Sequence, residues 1–159
     1  MTSKLKKIVS GGQTGVDRAA LDAALDAGFP CGGWCPRGRL AEDGPIPDRY
    51  PLDETPSAKY AERTQWNVRD SDGTLILTLG DITGGTALTK NLAQNYAKPL
   101  LIVDLRREVD AATVLDWLER HDIGVLNIAG PRSRQQPDVY RRAYRFVRSL
   151  LAAVEAQDG

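Results

Sequence analysis

Cysteine and histidine are scarce in this chain: among 159 residues, Cys31, Cys35 and His121 are the only ones of their kinds. Three residues separate the two cysteines, and a single histidine cannot complete a tetrahedral set with them, so no metal site is expected. An excess of charge of one sign is also lacking. Lys plus Arg and Asp plus Glu both number 21, for a formal net charge of zero, which removes any global electrostatic reason to expect nucleic acid or a membrane surface as partner. No apolar run approaches bilayer length. The opening Met1-Thr-Ser-Lys-Leu-Lys-Lys7 has neither the apolar centre nor the cleavage site of a signal peptide. A cytoplasmic location is therefore expected, and with it reduced thiols rather than a disulfide. The remaining composition, 42% apolar and 26% charged, is that of an ordinary globular chain, long enough for one domain over 1–159 with a sizeable core.

What the sequence does have is glycine placed in turns. Ser10-Gly-Gly-Gln-Thr-Gly-Val-Asp-Arg18 follows an apolar strand, Lys6 to Val9, and precedes an Ala-rich amphipathic helix over 16–27 closed by Gly28. A strand, a Gly-rich turn and a helix N-terminus make an anion site, because unpaired amides and the helix dipole favour a phosphate-like group. The spacing is neither the dinucleotide fingerprint nor a P-loop. A tight turn without ligand accounts for the same glycines. The arrangement recurs where Thr74-Leu-Ile-Leu-Thr-Leu79, a continuous buried-strand run, enters Gly80-Asp-Ile-Thr-Gly-Gly-Thr86 and then a helix over 87–97.

The other elements read as a strand over 30–35, a helix over 57–68 with Ser57 as N-cap and Tyr60, Arg63, Thr64 and Asn67 on one face, and a strand over 100–104. A helix over 110–121, a strand over 125–129 and a long helix over 138–155 complete the chain. Pro36, Pro45, Pro47, Pro51 and Pro56 exclude a regular element from 36–56. An ordered binding loop pinned by Leu40, Ile46, Tyr50 and Leu52 is expected there. Arg141, Arg142, Arg145 and Arg148 form one face of the last helix and read as solvated.

Five strands alternating with helices predict a three-layer α/β/α domain around a five-stranded, mainly parallel sheet, with order 2-1-3-4-5. In that order the sheet reverses between strands 1 and 3, the two that end in glycine turns, and ligands bind beyond the carboxyl ends at such a reversal. The expected binding residues are Gly11, Gly12, Gln13, Thr14, Gly15 and Arg18 in the first turn and Thr83, Gly84, Gly85 and Thr86 in the second. Arg37 and Arg39 of the Pro-rich loop, Asn127 and Arg132 join them, the arginines as paired donors to an oxyanion. Asp17 is the exception. A carboxylate suits the helix dipole but repels phosphate, so it faces away, pairs with Arg18, or contacts a ribose or metal.

Ser10-Gly-Gly-Gln-Thr-Gly-Val-Asp-Arg-Ala-Ala-Leu21, Gly33-Trp-Cys-Pro-Arg-Gly-Arg-Leu-Ala-Glu-Asp-Gly-Pro-Ile-Pro47, Gly84-Gly-Thr86 and Ala129-Gly-Pro-Arg132 resemble the molybdenum carrier family. That family belongs to the Rossmann-like group that also contains the lonely-guy phosphoribohydrolases. The resemblance implies a cytoplasmic homo-oligomer that binds a phosphate-bearing cofactor or nucleotide, foremost the molybdenum cofactor, with Trp34 beside the pterin. Its catalytic expectation is negative: where a lonely-guy turn carries its glutamate, this chain has Lys90 and Asn91, so the acid–base carboxylate is not matched and no catalytic residue is assigned. Two alternatives stand beside the carrier: a nucleotide sensor or N-glycosidase using Asp17, Glu42 or Asp43, and direct binding of molybdate.

Overall fold

Short aliphatic runs place five parallel strands at the centre of the computed structural model, which describes residues 3–158. They are β1 Lys7–Val9, β2 Cys31–Gly32, β3 Gly73–Thr78, β4 Leu100–Asp104 and β5 Val125–Ala129. β3 is buried at every position, as its unbroken apolar run requires of a strand covered on both faces. Five helices flank the sheet: α1 Val16–Asp26, α2 Tyr60–Arg69, α3 Gly84–Asn95, α4 Ala111–Arg120 and α5 Val139–Asp158. α1 and α4 pack on α5, and α2 packs on α3. The main core joins Ala19, Ala20, Ala23 and Ala24 of α1 to Ala143, Val147, Leu150 and Leu151 of α5 over Ile8, Leu75 and Leu126 of the strands. The three-layer α/β class is as the sequence indicates.

The sheet order is β2-β1-β5-β3-β4. Ile8 lies opposite both Cys31 and Leu126, and Ile76 opposite both Ile102 and Ala129. The neighbours β2–β1 and β3–β4 agree with the expected 2-1-3-4-5, whereas β5 lies between β1 and β3 instead of at the edge. α5 supplies the physical reason: its long apolar stripe finds its partner in the alanine face of α1, which holds the end of the chain over the middle of the sheet. Counted from β5 as the first strand, the order becomes 3-2-1-4-5, that of doubly wound dinucleotide-binding sheets. The reversal point therefore lies between β5 and β3.

Element boundaries differ for local reasons. The expected strand over 30–35 bends at Gly33, whose φ of 129° suits glycine and where a Cβ would overlap the Ser10 backbone. Beyond it, Trp34–Cys35 leaves the sheet to pair with Asp53–Glu54. α2 begins at Tyr60 instead of Ser57, because the Ser57 hydroxyl accepts from Lys59 N at 3.0 Å and its amide donates to Glu62 at 2.9 Å, which closes a turn ahead of the helix. α3 begins three residues early, so Gly84, Gly85 and Thr86 are its first turn. The Pro-rich loop is ordered: Leu40–Ala41 pairs with Gly44–Pro45, and Ile46, Tyr50 and Leu52 form a second small core with Leu21 and Cys35. No helix among the described residues is long and apolar enough to cross a membrane.

Candidate functional site

In the first glycine turn the chain fills its own anion site. A Cβ on Gly11 would overlap the Arg63 guanidinium, one on Gly12 would meet Leu52 at 2.6 Å, and one on Gly15 would overlap the Pro131 carbonyl. These glycines accommodate protein atoms. The amides are also engaged: Gln13 N donates to Asp17 Oδ2 at 3.3 Å, Thr14 N to Gln13 Oε1 at 3.1 Å and Val16 N to the Pro131 carbonyl at 3.2 Å. Glu42, with a side chain only 5% exposed, reaches in from the Pro-rich loop to accept from the Thr14 hydroxyl and the Arg134 amide. Two carboxylates, Asp17 and Glu42, thus compensate the positive end of α1.

The second turn is open. Thr83 makes no side-chain cap, and the amides of Gly84, Gly85 and Thr86 meet no acceptor among the described residues. A Cβ on Gly85 would find nothing within 4 Å. Beside this free helix end lies a half-open recess of about 90 Å³ at the carboxyl ends of β1 and β5. Its walls are Gln13 and Asp17, the α2 face with Tyr60, Arg63, Thr64 and Asn67, then Thr86, Asn127 and Arg132. A second recess of about 350 Å³ lies against Asp81, Thr83, Arg106 and Gln136, and Thr86 and Gln135 line both.

Arg63 dominates the electrostatics of the first recess. Its Nη1 donates to Asp17 Oδ2 at 2.9 Å, with the two side chains 11% and 7% exposed, and its buried Nε has no partner among the described residues. Burial pushes the Asp17 carboxyl above the usual carboxylate range, against the opposing pull of the Arg63 charge and the Gln13 amide. The Arg63 and Arg132 guanidinium groups both lie over the Tyr60 ring, 5.3 and 5.9 Å from its centre, where the ring face favours cations. Arg132 stands 3.9 Å from Glu42 and keeps 36% of its side chain exposed. The site is thus a polar recess with donors at a helix end, two guanidinium groups and one carboxylate.

Of the residues expected from sequence, Gly11, Gln13, Gly85, Thr86, Asn127 and Arg132 border the first recess and Thr83 the second, with Gly84 at the helix end beside Gln135. Gly12, Thr14 and Gly15 lie behind it in the packed turn. Arg18 is held by Asp43 at 2.5 and 2.7 Å and by the Gly12 carbonyl. Arg39 donates to the carbonyls of Pro47, Tyr50 and Leu52, fastening the Pro-rich loop. Arg37 is exposed outside both recesses. Trp34 packs edge-on to Trp66 at 4.8 Å and donates to Asp70 at 2.8 Å, away from the crevice. Tyr60, Arg63, Thr64 and Asn67 are the residues whose place in the site sequence reasoning missed. The signal was a polar stripe on a helix whose buried residues are only Asn67 and Val68, too few for a core-facing helix.

No group of three or more His, Cys, Asp or Glu able to hold a metal ion occurs among the described residues. Cys31 and Cys35 are free thiols, and burial pushes both thiol pKa values up.

Comparison with known proteins agrees with this geometry. The crystal structure named "Putative molybdenum carrier protein", from Syntrophus aciditrophicus SB at 1.45 Å resolution, is 47% identical to this chain with a TM-score of 0.92, over 95% of this chain and 98% of that one. No curated protein matches. The family described as "Circularly permutated YpsA SLOG family" matches over residues 8–151, and a sheet whose order becomes 3-2-1-4-5 when counted from β5 is what permuting a doubly wound chain produces. The chain belongs to the circularly permutated YpsA SLOG family.

Proposed function

We propose that this protein is a carrier for a phosphate-bearing small molecule of the molybdenum-cofactor class, with the phosphate at the N-terminus of α3. The observation that carries the reading is the contrast between the two glycine turns. At α1 the glycines pack on protein and the amides of Gln13, Thr14 and Val16 are spent on Asp17, the Gln13 side chain and the Pro131 carbonyl. At α3 the amides are free and Gly85 faces open space, the condition for an anion to approach a helix end. Arg132 and the remaining donors of Arg63 add charge-assisted bonds. Asp17 and Asn127 supply acceptors for the hydroxyl or N–H groups of the ligand body. The name of the 47%-identical protein supports molybdenum-related cargo. The recess of about 90 Å³ suits the phosphate end, with the pterin in the wider crevice.

Gly85→Asp tests the reading in one variant. Aspartate is favourable in a first helical turn, so the fold persists while a carboxylate occupies the phosphate position. Calorimetry with the molybdenum cofactor, adenine nucleotides and molybdate is expected to show binding of the cofactor, lost by at least tenfold in Gly85→Asp and in Arg63→Ala and unchanged in Arg148→Ala. Preference for nucleotides would select the sensor reading and preference for molybdate the oxyanion reading. Equal binding by Gly85→Asp and wild type would place the ligand elsewhere.

A further inference from the structure

We infer that a groove between α5 and the loop after β4 docks an acidic segment of a partner protein, its carboxylates on a rim of arginines and an apolar side chain on the floor between them. The groove has a volume of about 750 Å³ and runs along the N-terminal half of α5. Its floor is the margin of the main core: Val103 is only 3% exposed, and Leu105, Val109 and Phe146 are partly buried against it. Its rim is Arg107 of the loop with Arg141, Arg142 and Arg145 of α5. Arg148, the fourth arginine of that helix face, does not line it. Arg106, the residue before Arg107, lines the recess beside Thr83 instead. The groove is thus separate from the crevice and independent of the reading of α3, and a partner seated in it stands beside the second recess without entering it.

The rim gathers unspent cationic donors on a molecule whose formal net charge is zero. Arg107 and Arg145 form no ion pair among the described residues. Arg141 and Arg142 share the one carboxylate of Asp138, each at 3.5 Å, beyond the usual reach of a charge-assisted hydrogen bond. Of the groove's own carboxylates, Asp110 is committed to the N-terminus of α4, where it accepts from Ala112 N at 3.0 Å. That leaves Glu108 against four guanidinium groups. Cations around an apolar floor complement carboxylates around an apolar side chain, the mode by which arginine clusters recognise acidic motifs, and Arg and Phe are both enriched at protein interfaces. A small molecule suits the groove less: its pocket would enclose it, whereas Arg141 and Arg142 keep 58% and 42% of their side chains in solvent. A nucleic-acid backbone is opposed by Glu108 and Asp138, and Phe146 is the one aromatic ring in the lining on which a base could stack.

Fluorescence anisotropy of the full chain with three short labelled peptides is the test: glutamates flanking leucines, the same peptide with glutamine for glutamate, and the same with serine for leucine. The first is expected to bind at least tenfold more tightly than the other two, and to weaken at least fivefold when salt rises from about 50 to about 300 mM. Arg107→Glu and Arg145→Glu are each expected to weaken it at least fivefold; both residues are exposed, so the fold persists, as circular dichroism checks. Arg120→Glu makes the same change of charge at the far end of α4, with the side chain 73% exposed, and is expected to leave binding unchanged, as is Gly85→Asp in the crevice. Failure of the first peptide to bind, equal binding of all three, or an equal effect of Arg120→Glu overturns the inference. So does a thymidine oligonucleotide that binds more tightly than the peptide and is lost in the same variants, which would make the groove a nucleic-acid site. The cargo reading stands or falls separately, on the binding of its own ligands by Gly85→Asp.

Discussion

Gly15 in the first glycine turn and Gly85 in the second serve opposite purposes. Gly15 has a φ of 80° and a hydrogen where a side chain would overlap the Pro131 carbonyl, so Gly15→Ala forces both a left-handed backbone and a clash. It is expected to cost about 1–3 kcal/mol, a fall of roughly 2–12 °C in melting temperature for a domain of this size. Gly85→Ala, in the first turn of α3 with nothing near its Cβ, is expected to raise the melting temperature slightly, since alanine restricts the unfolded chain. Thermal denaturation of the pair separates a glycine required by packing from one kept for access; a destabilised Gly85→Ala would remove the distinction. Cysteine reactivity follows the same local reasoning. Cys35 is fully buried and burial pushes its thiol up, and the same holds less completely for Cys31. The thiolate is the reactive form, so at pH 8 a thiol reagent is expected to modify Cys35 only as fast as the protein opens, with both residues reacting at once in denaturant.

Between elements, the seam of α1 and α5 carries a ladder of phenols on carboxylates. Tyr140 donates to Asp22 and Tyr144 to Asp26, both at 2.5 Å, and Tyr50 adds a bond to Asp22 at 2.7 Å. Burial first and the Asp22 bond next raise the Tyr140 phenol, and the Asp26 bond raises that of Tyr144. A raised folded-state pKa means stability that is complete below the unfolded value of about 10 and is lost as pH rises through the folded value. Chemical denaturation is expected to show stability falling above about pH 10, more steeply in wild type than in a Tyr140→Phe, Tyr144→Phe double variant, a comparison that cancels the lysines titrating in the same range. Identical slopes would show that the seam does not titrate. The same helices show what the sequence made legible. The apolar stripe of α5 and the alanine face of α1 are periodic, and both helices stand close to where the pattern puts them. That each is the other's partner is a non-local fact, and β5 lies in the middle of the sheet because of it. The polar face of α2 was visible as Tyr60, Arg63, Thr64 and Asn67, but its role as a wall depends on the same placement. Arg18, Arg39 and Trp34 were plausible ligand residues by type; Asp43, the loop carbonyls and Asp70 use them structurally, and no local pattern announces such partners.

For the whole molecule, the order β2-β1-β5-β3-β4 makes connectivity separable from architecture. The described ends lie together: Ser3 N donates to Gln157 Oε1 at 3.0 Å. A linker of about six Gly/Ser residues, with a root-mean-square reach of roughly 13 Å, would join the termini without strain. New termini belong between His121 and Asp122, both exposed in the turn after α4, where cutting opens no core; Ile123, fully buried against Gly73, stays attached to β5. The permuted chain runs from β5 through α5 to β1, giving a sheet of order 3-2-1-4-5 with every strand neighbour retained. Exposed turns tolerate such cuts when the termini are close. The permutant is expected to be soluble, to melt cooperatively within about 5 °C of the original, and to bind the same ligand with the same affinity, because β5, β3 and α3 keep their places around the crevice. A permutant that folds but loses binding would show that the loop cut after α4 shapes the site. One that fails to fold would show that α5 docks on α1 only when it is made last.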